Sequence, residues 1–283
     1  MSGFNMTTNS LKSLKTPLRY PGGKSRACKK IEVYLPKLDK YKEFREPFLG
    51  GGSVSIHFTK LYPGISFWVN DLYKPIYNFW TQLQKNGSTM QIELEKIKKQ
   101  HSNTILARDL FLKSQELIND KGVDDLRRAM AFYIVNKCSF SGLTESSAFS
   151  EQASESNFSL RGIGKLSEYS KIIANWKITN QSYETLMDSS ADVFMYLDPP
   201  YEIKSNLYGK KGSMHKSFDH DKFAADCNAN KMHQLISYNA SDKIKSRFDG
   251  WTAGEFDLTY TMQSVGDYKE KQKKRKELVL FNY

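Results

Sequence analysis

The chain has little cysteine, and what it has is scattered. Cys28, Cys138 and Cys227 form no Cys-x-x-Cys pair, and none of the five histidines belongs to a His-Glu-x-x-His pattern. Widely separated cysteines in an odd number predict neither a disulfide framework nor a zinc knuckle. We therefore expect no metal site.

Long apolar runs are missing as well. No stretch approaches the roughly 20 apolar residues of a membrane span, and the polar start, residues 1–16, lacks the apolar core of a signal peptide. We therefore expect no membrane partner. The same features predict a cytoplasmic protein.

Two nucleotide-binding motifs are incomplete. The segment 20–25 ends like a Walker A loop, but Leu18 stands where that motif requires glycine. The glycines at 50–52 begin a Gly-x-Gly-x-x-Gly pattern, but Ser55 replaces its last glycine. These departures argue against ATP, nicotinamide and flavin as ligands.

Positive charge, by contrast, is plentiful. The 42 Lys and Arg residues outnumber the 31 Asp and Glu residues, which gives a net charge of +11 and a pI near 9.3. This balance favours a polyanionic partner, nucleic acid before an anionic membrane. The 283 residues suffice for one large domain, or for one domain with an inserted module.

Helix and strand signals alternate at both ends of the chain and predict an α/β fold. Predicted strands cover residues 43–48, 65–69, 177–181, 193–197, 235–238 and 278–283, and predicted helices cover 25–35, 53–61, 165–176 and 183–188. Between residues 74 and 137 the periodicity is mostly helical without strand signals, which predicts an inserted module. The serine-rich segment 139–159 predicts a loop or an irregular hairpin.

The tetrapeptide Asp198-Pro199-Pro200-Tyr201 ends a predicted strand, where an α/β sheet places its chemistry. The carboxylate and a backbone carbonyl of the Pro-Pro turn would accept the two hydrogens of an exocyclic amine. Tyr201 would stack on the ring that carries this amine, a base flipped out of a duplex. The same four residues also suit an ordinary turn.

A second set of residues favours an adenosine ligand. The glycine turn at 50–53 follows one strand and opens a helix, a place where a backbone without side chains can approach a ligand. Asp71 ends the next strand about 20 residues on, the spacing of a carboxylate that binds ribose hydroxyls. The basic turn at Lys24 suits a ligand carboxylate, and Tyr20 would stack on adenine. S-adenosylmethionine combines these features, and a nucleobase fits the amine site.

In their order, these motifs resemble the Dam-type (alpha-group) DNA adenine-N6 methyltransferases. The resemblance spans residues 17–283 and rests on PLRYPGGKS at 17–25, EPFLGGGSVS at 46–55, VND at 69–71 and YLDPPY at 196–201. It implies a Rossmann-like, S-adenosylmethionine-dependent methyltransferase sheet, built from residues 1–73 and 165–283. It also implies a mainly helical target-recognition domain inserted at residues 74–164.

The resemblance implies roles for individual residues. Those expected to bind the cofactor are Tyr20, Lys24, Glu46, Phe48, Gly50, Gly51, Gly52, Ser53 and Asp71. Those expected to be catalytic are Asp198, Pro199, Pro200 and Tyr201, with Asp198 and the Pro199 carbonyl gripping adenine N6. The strand near 235–239 and the closing segment ELVLFNY at 277–283 resemble family strands and are expected to be structural.

The resemblance also implies DNA contacts, at Lys137, Phe140, Ser141, Glu145 and Lys216. Phe140 matches an aromatic residue that wedges into the base stack, and Glu145 falls where GATC-specific members carry a guanine-reading arginine. A carboxylate cannot donate to guanine but can accept from cytosine N4. We therefore expect a recognition site other than GATC. Lys216 lies in a loop that would contact phosphate or remain solvated.

Together these expectations describe a site-specific enzyme that methylates adenine N6 in double-stranded DNA, with S-adenosylmethionine as donor and without a metal. The alternatives are the same chemistry on cytosine N4 or on RNA adenine, and a catalytically inactive DNA-binding relative. We expect a monomer. The motifs suit both a solitary enzyme and a member of a restriction-modification system.

Overall fold

The computed structural model describes residues 14–140, 142, 147–188, 192–202, 218–258 and 275–283. Within these ranges, one sheet has the strand order β3-β2-β1-β4-β5-β7-β6. Strands β1 to β5 are parallel, and β7 runs antiparallel to its neighbours β5 and β6. The strands are β1 (Glu43–Glu46), β2 (Ser66–Asn70), β3 (Lys177–Thr179), β4 (Val193–Leu197), β5 (His233–Asn239), β6 (Thr252–Leu258) and β7 (Arg275–Phe281).

The described α-helices lie before and between these strands. They are α1 (Cys28–Glu32), α2 (Ser53–Leu61), α3 (Lys74–Gln100), α4 (Thr104–Leu117), α5 (Asp125–Cys138), α6 (Glu151–Ser156), α7 (Leu160–Ile163), α8 (Leu166–Ile172), α9 (His220–Ala229) and α10 (Asp242–Arg247). Short 3₁₀ turns cover Lys24–Arg26, Leu38–Lys40 and Tyr183–Leu186. In the portion of the chain that is described, no helix combines the length and the apolarity that crossing a membrane requires.

Strand β4 lies in the middle of the sheet, and its apolar side chains suit this position. All five of its side chains, Val-Phe-Met-Tyr-Leu, are buried, as expected for a parallel strand covered on both faces. Phe194 packs against Phe44 of β1 with ring centroids 6.0 Å apart. This aromatic contact helps to hold β1 and β4 side by side in register.

The chain changes direction across the sheet between β1 and β4. It moves outward from β1 to β2 and β3, and then returns to place β4 on the other side of β1. In open α/β sheets, the crevice outside the carboxyl ends of two such strands is where ligands bind. Here these ends carry Glu46, the last residue of β1, and Asp198, the residue after β4.

Helices dominate residues 74–163 and pack on one another. Pro75 lies in the first turn of α3, where its missing N–H leaves no hydrogen bond unmade. Phe79 of α3 stacks on Tyr133 of α5 with ring centroids 6.0 Å apart. These helices confirm the predicted periodicity. That residues 74–164 form a separate target-recognition domain stays a prediction.

The regular elements match the sequence predictions best where the local pattern is strong. The helix Ser53–Leu61 and the strand Val193–Leu197 have the predicted bounds. The single helix predicted at 25–35 is wrong, because a 3₁₀ turn at Lys24–Arg26 and the short α1 replace it. In this turn the Lys24 side chain points into the interior, where it meets an ion partner.

Several elements were not predicted. Helices α9 and α10 and strand β6 all lie in sequence that is too polar to give a clear signal. The segment 139–159 contains an antiparallel bridge between Ser139 and Phe149, as a hairpin would. It also contains α6, whose first turn is capped by the Ser150 hydroxyl.

Candidate active site

A cavity of about 310 Å³ opens at the carboxyl ends of β1, β2 and β4. Every residue predicted to bind the cofactor or to be catalytic lines it. These residues are Tyr20, Lys24, Glu46, Phe48, Gly50, Gly51, Gly52, Ser53, Asp71, Asp198, Pro199, Pro200 and Tyr201. The volume lies at the lower end of the range of small-molecule pockets, about 300–1,000 Å³. The predicted cofactor-binding residues between 20 and 71 and the tetrapeptide 198–201 therefore line the same cavity.

Glu46 ends β1 as a buried carboxylate held by the next helix. It accepts a hydrogen bond of 3.0 Å from the backbone N–H of Ser55, and the Ser55 hydroxyl donates to the same oxygen. Burial, opposed by these hydrogen bonds, raises the pKa of Glu46 to about 8. Ser55 is the residue that breaks the dinucleotide motif, and the structure gives it this different task.

The glycine turn between β1 and α2 is shaped by protein side chains. Gly50 and Gly52 have φ angles of 46° and 65°, in the left-handed region that favours glycine. A Cβ on Gly50 would lie 2.7 Å from the Tyr20 ring, and one on Gly52 would lie 2.6 Å from Trp80. The protein's own packing therefore requires glycine at both positions, and the approach of their backbone to a ligand stays a prediction.

Asp71 follows β2 and fastens the glycine turn. Its carboxylate accepts hydrogen bonds from the backbone N–H groups of Gly50, at 2.8 Å, and Tyr73, at 2.9 Å. Burial raises the pKa of Asp71 to about 6, and the two backbone hydrogen bonds oppose that shift. A carboxylate accepts about four hydrogen bonds, so Asp71 can hold the turn and still accept from a ligand hydroxyl.

Asp198 follows β4 and faces a buried lysine. The Lys24 ammonium lies 2.8 and 2.9 Å from its two carboxylate oxygens and 2.8 Å from the Tyr201 hydroxyl. The Lys24 side chain is 2% exposed. Burial raises the pKa of Asp198 to about 6, and the charge of Lys24 opposes that shift. Lys24 was predicted to contact the methyl donor, and its observed partner is the predicted catalytic carboxylate.

Glu277 of β7 completes this ionic cluster. One of its carboxylate oxygens lies 3.2 Å from the Lys24 ammonium and accepts a hydrogen bond from the Tyr201 hydroxyl. The closing segment ELVLFNY was expected to be structural, and within it Glu277 contacts two residues of the predicted site. The signal in the sequence was one acidic residue at the start of an apolar closing strand, since an unpaired buried carboxylate would be costly.

An aromatic wall, also not predicted as a whole, covers another side of the cavity. The Phe48 ring lies 5.5 Å from that of Tyr183 and 5.8 Å from that of Phe218, measured between centroids. The Tyr183 hydroxyl donates to Asp226 of α9 at 2.7 Å. Such a wall can hold a flat ring. Tyr183 lies shortly after β3 and Phe218 lies shortly before α9, and neither belongs to a local sequence motif.

The predicted DNA contacts lie only partly within the described residues. Lys137 is half-buried at the end of α5, with its ammonium 5.4 Å from the Tyr133 ring, and burial lowers its pKa to about 8. Phe140 is 49% exposed. Ser141, Glu145 and Lys216 lie outside the described residues.

Arg19 links the cavity to the segment that carries Phe140. Its guanidinium donates to the backbone carbonyls of Ser139, at 2.6 Å, and Phe140, at 3.0 Å. Asn136 accepts from the Arg19 backbone N–H at 2.9 Å and donates to its carbonyl at 2.6 Å. The residue before Tyr20 is therefore tied to the end of α5, a contact that the sequence did not reveal.

Comparison with known proteins gives a consistent result. The family model described as D12 class N6 adenine-specific DNA methyltransferase matches residues 20–273. The Type II methyltransferase M.MjaIII of Methanocaldococcus jannaschii is 27% identical over 206 residues, which are 67% of this chain and 70% of that protein. The DNA N-6-adenine-methyltransferase of Escherichia phage P1 is 29% identical over 68% of this chain and 24% of that protein.

A solved structure was also matched at low similarity. The N-terminal domain of human METTL16 in complex with SAH has a TM-score of 0.36 and 8% sequence identity to this chain. The match covers 91% of this chain and 68% of the METTL16 domain.

Proposed function

The chain belongs to the D12 class of N6 adenine-specific DNA methyltransferases, and on that premise we propose that the two halves of its cavity bind different ligands. The half of the cavity built from Glu46, the glycine turn 50–52 and Asp71, here called the donor half, holds S-adenosylmethionine. The half lined by Lys24, Asp198 and Tyr201, here called the acceptor half, receives a flipped adenine, and Glu277 contacts it through Lys24 and Tyr201. Within the class, the motif order is that of Dam-type enzymes.

The donor half suits a ligand with a positive charge. Bound there, S-adenosylmethionine supplies a methyl group on a positively charged sulfur. Glu46 and Asp71 are buried carboxylates whose pKa values burial raises to about 8 and about 6. A nearby cation favours the charged form of such groups. Asp71 accepts from the ribose hydroxyls, and the aromatic wall of Phe48 and Tyr183 lies along the adenine of the donor.

One observation supports the acceptor half most strongly. The Asp198 carboxylate accepts two short hydrogen bonds from an ammonium at the cavity, so its lone pairs already point where an N–H donor would lie. We assign Asp198 and the Pro199 carbonyl to the two hydrogens of adenine N6. Pro200 fixes the turn, and the Tyr201 ring stacks on the base.

The residues need to align the amine more than to activate it. The sulfonium is already a reactive donor, so holding nitrogen, methyl carbon and sulfur in line supplies much of the acceleration. The N6 proton becomes acidic only after methyl transfer. Asp198, whose pKa burial raises to about 6, can then accept a proton without having been a strong base beforehand.

For DNA recognition we propose that residues 74–164 form the target-recognition domain. The exposed ring of Phe140 wedges into the duplex, and Lys137 and Ser141 contact DNA beside it. Glu145 reads a base other than the guanines of GATC, and Lys216 contacts phosphate. The substrate is double-stranded DNA, and the enzyme acts as a monomer.

The test is to incubate the protein with methyl-labelled S-adenosylmethionine and unmethylated genomic DNA, and then to digest the DNA to nucleosides. We expect label in N6-methyladenine from duplex DNA and none from RNA. Label in N4-methylcytosine, or tight DNA binding without label, would contradict the proposal. Sequencing the methylated DNA then gives the recognition site, and methylation confined to GATC would contradict the role of Glu145.

A further inference from the structure

Glu277 is a buried acid in an otherwise apolar stretch of strand. It lies on β7, at the side of the sheet away from β1 and β2, and its side chain is 1% exposed. Its neighbours in the strand, Leu278, Val279 and Leu280, are the apolar residues expected for a buried strand. The Glu277 carboxylate instead reaches the acceptor half, where it meets Lys24 and Tyr201.

The Lys24 ammonium has more acceptors within reach than it has hydrogens. It carries three N–H groups, and its nitrogen lies 2.8–3.2 Å from the two oxygens of Asp198, the Tyr201 hydroxyl, the Gly22 carbonyl and a Glu277 oxygen. A hydrogen bond to Asp198 can therefore be exchanged for one to Glu277 with a small movement. The flexible four-carbon stem of lysine permits such a movement.

An incoming amine competes with Lys24 for the same carboxylate. If adenine N6 is to donate to Asp198, the ammonium must give up at least one of its two hydrogen bonds there. With no second carboxylate, this step would leave part of a buried positive charge unpaired, which is strongly unfavourable. Glu277 supplies that second carboxylate, and the Tyr201 hydroxyl bridges the two positions.

We propose that Glu277 is a positioning residue for base entry, which draws the Lys24 ammonium away from Asp198 as the target amine arrives. The inference rests on the proposed role of Asp198 as the acceptor of the amine. Glu277 touches neither donor nor base. It acts through Lys24, and it lowers the cost of replacing one nitrogen donor by another at Asp198.

The test compares Glu277→Gln and Glu277→Asp with the wild-type chain in single-turnover methylation of genomic DNA at saturating donor and DNA. The glutamine has the same shape but no charge, so we expect the rate to fall about tenfold, with the dissociation constant of S-adenosylmethionine within about twofold of wild type. The aspartate keeps the charge, and we expect it to recover the rate to within about threefold. Glu255→Gln on β6, which removes a partly exposed partner of Lys245 and Lys276, is the matched control with wild-type rate.

The outcomes separate this inference from a structural role and from the proposed function. A wild-type rate in Glu277→Gln, or an aspartate variant as slow as the glutamine variant, would overturn the inference. So would a Glu277→Gln protein that no longer folds, since that result assigns the carboxylate to stability. If Asp198→Ala abolishes transfer while Glu277→Gln does not slow it, only this inference fails. An active Asp198→Ala protein would refute the proposed role of Asp198 itself.

Discussion

The two halves of the cavity hold their carboxylates in different ways. In the donor half, Glu46 and Asp71 accept hydrogen bonds from backbone N–H groups of Ser55, Gly50 and Tyr73. In the acceptor half, Asp198 accepts from the end of a long lysine side chain. One half is thus held by the backbone itself, and the other by a group that can move.

This difference fits what each half receives. A donor that binds in one fixed pose gains from a preformed site, because little ordering is needed on binding. A base that leaves a duplex needs a carboxylate whose present partner can be displaced. We therefore expect substitutions in the donor half to change stability and donor affinity, and substitutions in the acceptor half to change the rate of methyl transfer.

Removing Asp198 gives the sharpest form of this contrast. In Asp198→Ala the amine loses its acceptor, while Lys24 keeps Glu277 as an ion partner, so the fold persists. We expect the methylation rate to fall about a thousandfold or more and the donor dissociation constant to stay within about threefold. Labelled transfer and calorimetry measure the two quantities.

The control for that variant is Asp192→Ala, at the other end of β4. This carboxylate is exposed and pairs with Lys42 at the surface, so its loss should leave the rate unchanged. Near-normal turnover in Asp198→Ala, or a similar loss in both variants, would contradict the division between the halves.

Gly52→Ala tests the rigidity of the donor half. Its φ of 65° is unfavourable for alanine, and the new Cβ would lie 2.6 Å from the Trp80 ring. We expect the free energy of unfolding to fall by about 2–3 kcal/mol, as measured by urea denaturation. Gly250→Ala has a φ of 82° but no atom within 4 Å of the new Cβ, so it isolates the backbone cost. Equal losses in the two variants would mean that the Trp80 contact contributes nothing.

The same contrast explains what the sequence revealed. The donor half is built by contacts between residues close in sequence, with Ser55 nine residues from Glu46 and Gly50 21 residues from Asp71. Spacing therefore pointed to Asp71 and the glycine turn together, whereas Glu46 was named only by the family resemblance. In the acceptor half, Lys24 and Asp198 are 174 residues apart, and Tyr201 and Glu277 are 76 apart. The tetrapeptide at 198–201 and Lys24 were each predicted from the sequence. Their contact was not predicted, because it depends on the strand order of the sheet.

Prediction of the strands was likewise limited to those that local sequence alone identifies. Strand β4 was predicted to the residue because a run of five apolar side chains needs no partner to be recognised. Strand β6, Thr-Ala-Gly-Glu-Phe-Asp-Leu, gives no such signal, and its place is set by pairing with β7. Glu277 was not predicted for the same reason, because the insertion of β7 beside β5 is what brings it to Lys24 and Tyr201.

Glu46→Gln tests whether the donor half is tuned for a cation. Burial raises the pKa of Glu46 from 4.5 to about 8, so the folded chain holds this proton more tightly than the unfolded chain. The stability that results is fully present below about pH 4.5 and is lost as pH rises through about 8. Glutamine does not titrate, so the variant should melt at a higher temperature than wild type near pH 9, and the difference should vanish near pH 4.

In Glu46→Gln at high pH, the affinity for the donor should fall although the melting temperature rises. At pH 9 the wild-type carboxylate is charged and attracts the cationic donor, so Glu46→Gln should bind S-adenosylmethionine about tenfold more weakly. Calorimetry at pH 6 and pH 9 checks this, since protonation of Glu46 should narrow the gap at the lower pH. A pH-independent gap would show that the charge of Glu46 does not contribute to donor binding.

Tyr201→Phe separates the contribution of the Tyr201 hydroxyl to the methylation rate from that of its ring. The variant keeps the ring but removes the hydroxyl that accepts from Lys24 and donates to Glu277. A hydrogen bond contributes about 1 kcal/mol, so we expect the methylation rate to fall about fivefold, with a further loss of about tenfold in Tyr201→Ala if the ring stacks on the base. Tyr238→Phe is the matched control, because its ring lies 5.9 Å from that of Tyr201 while its hydroxyl bonds His220. Equal rates in Tyr201→Phe and Tyr201→Ala would remove stacking from the proposed mechanism and leave the hydroxyl bridge as the function of Tyr201.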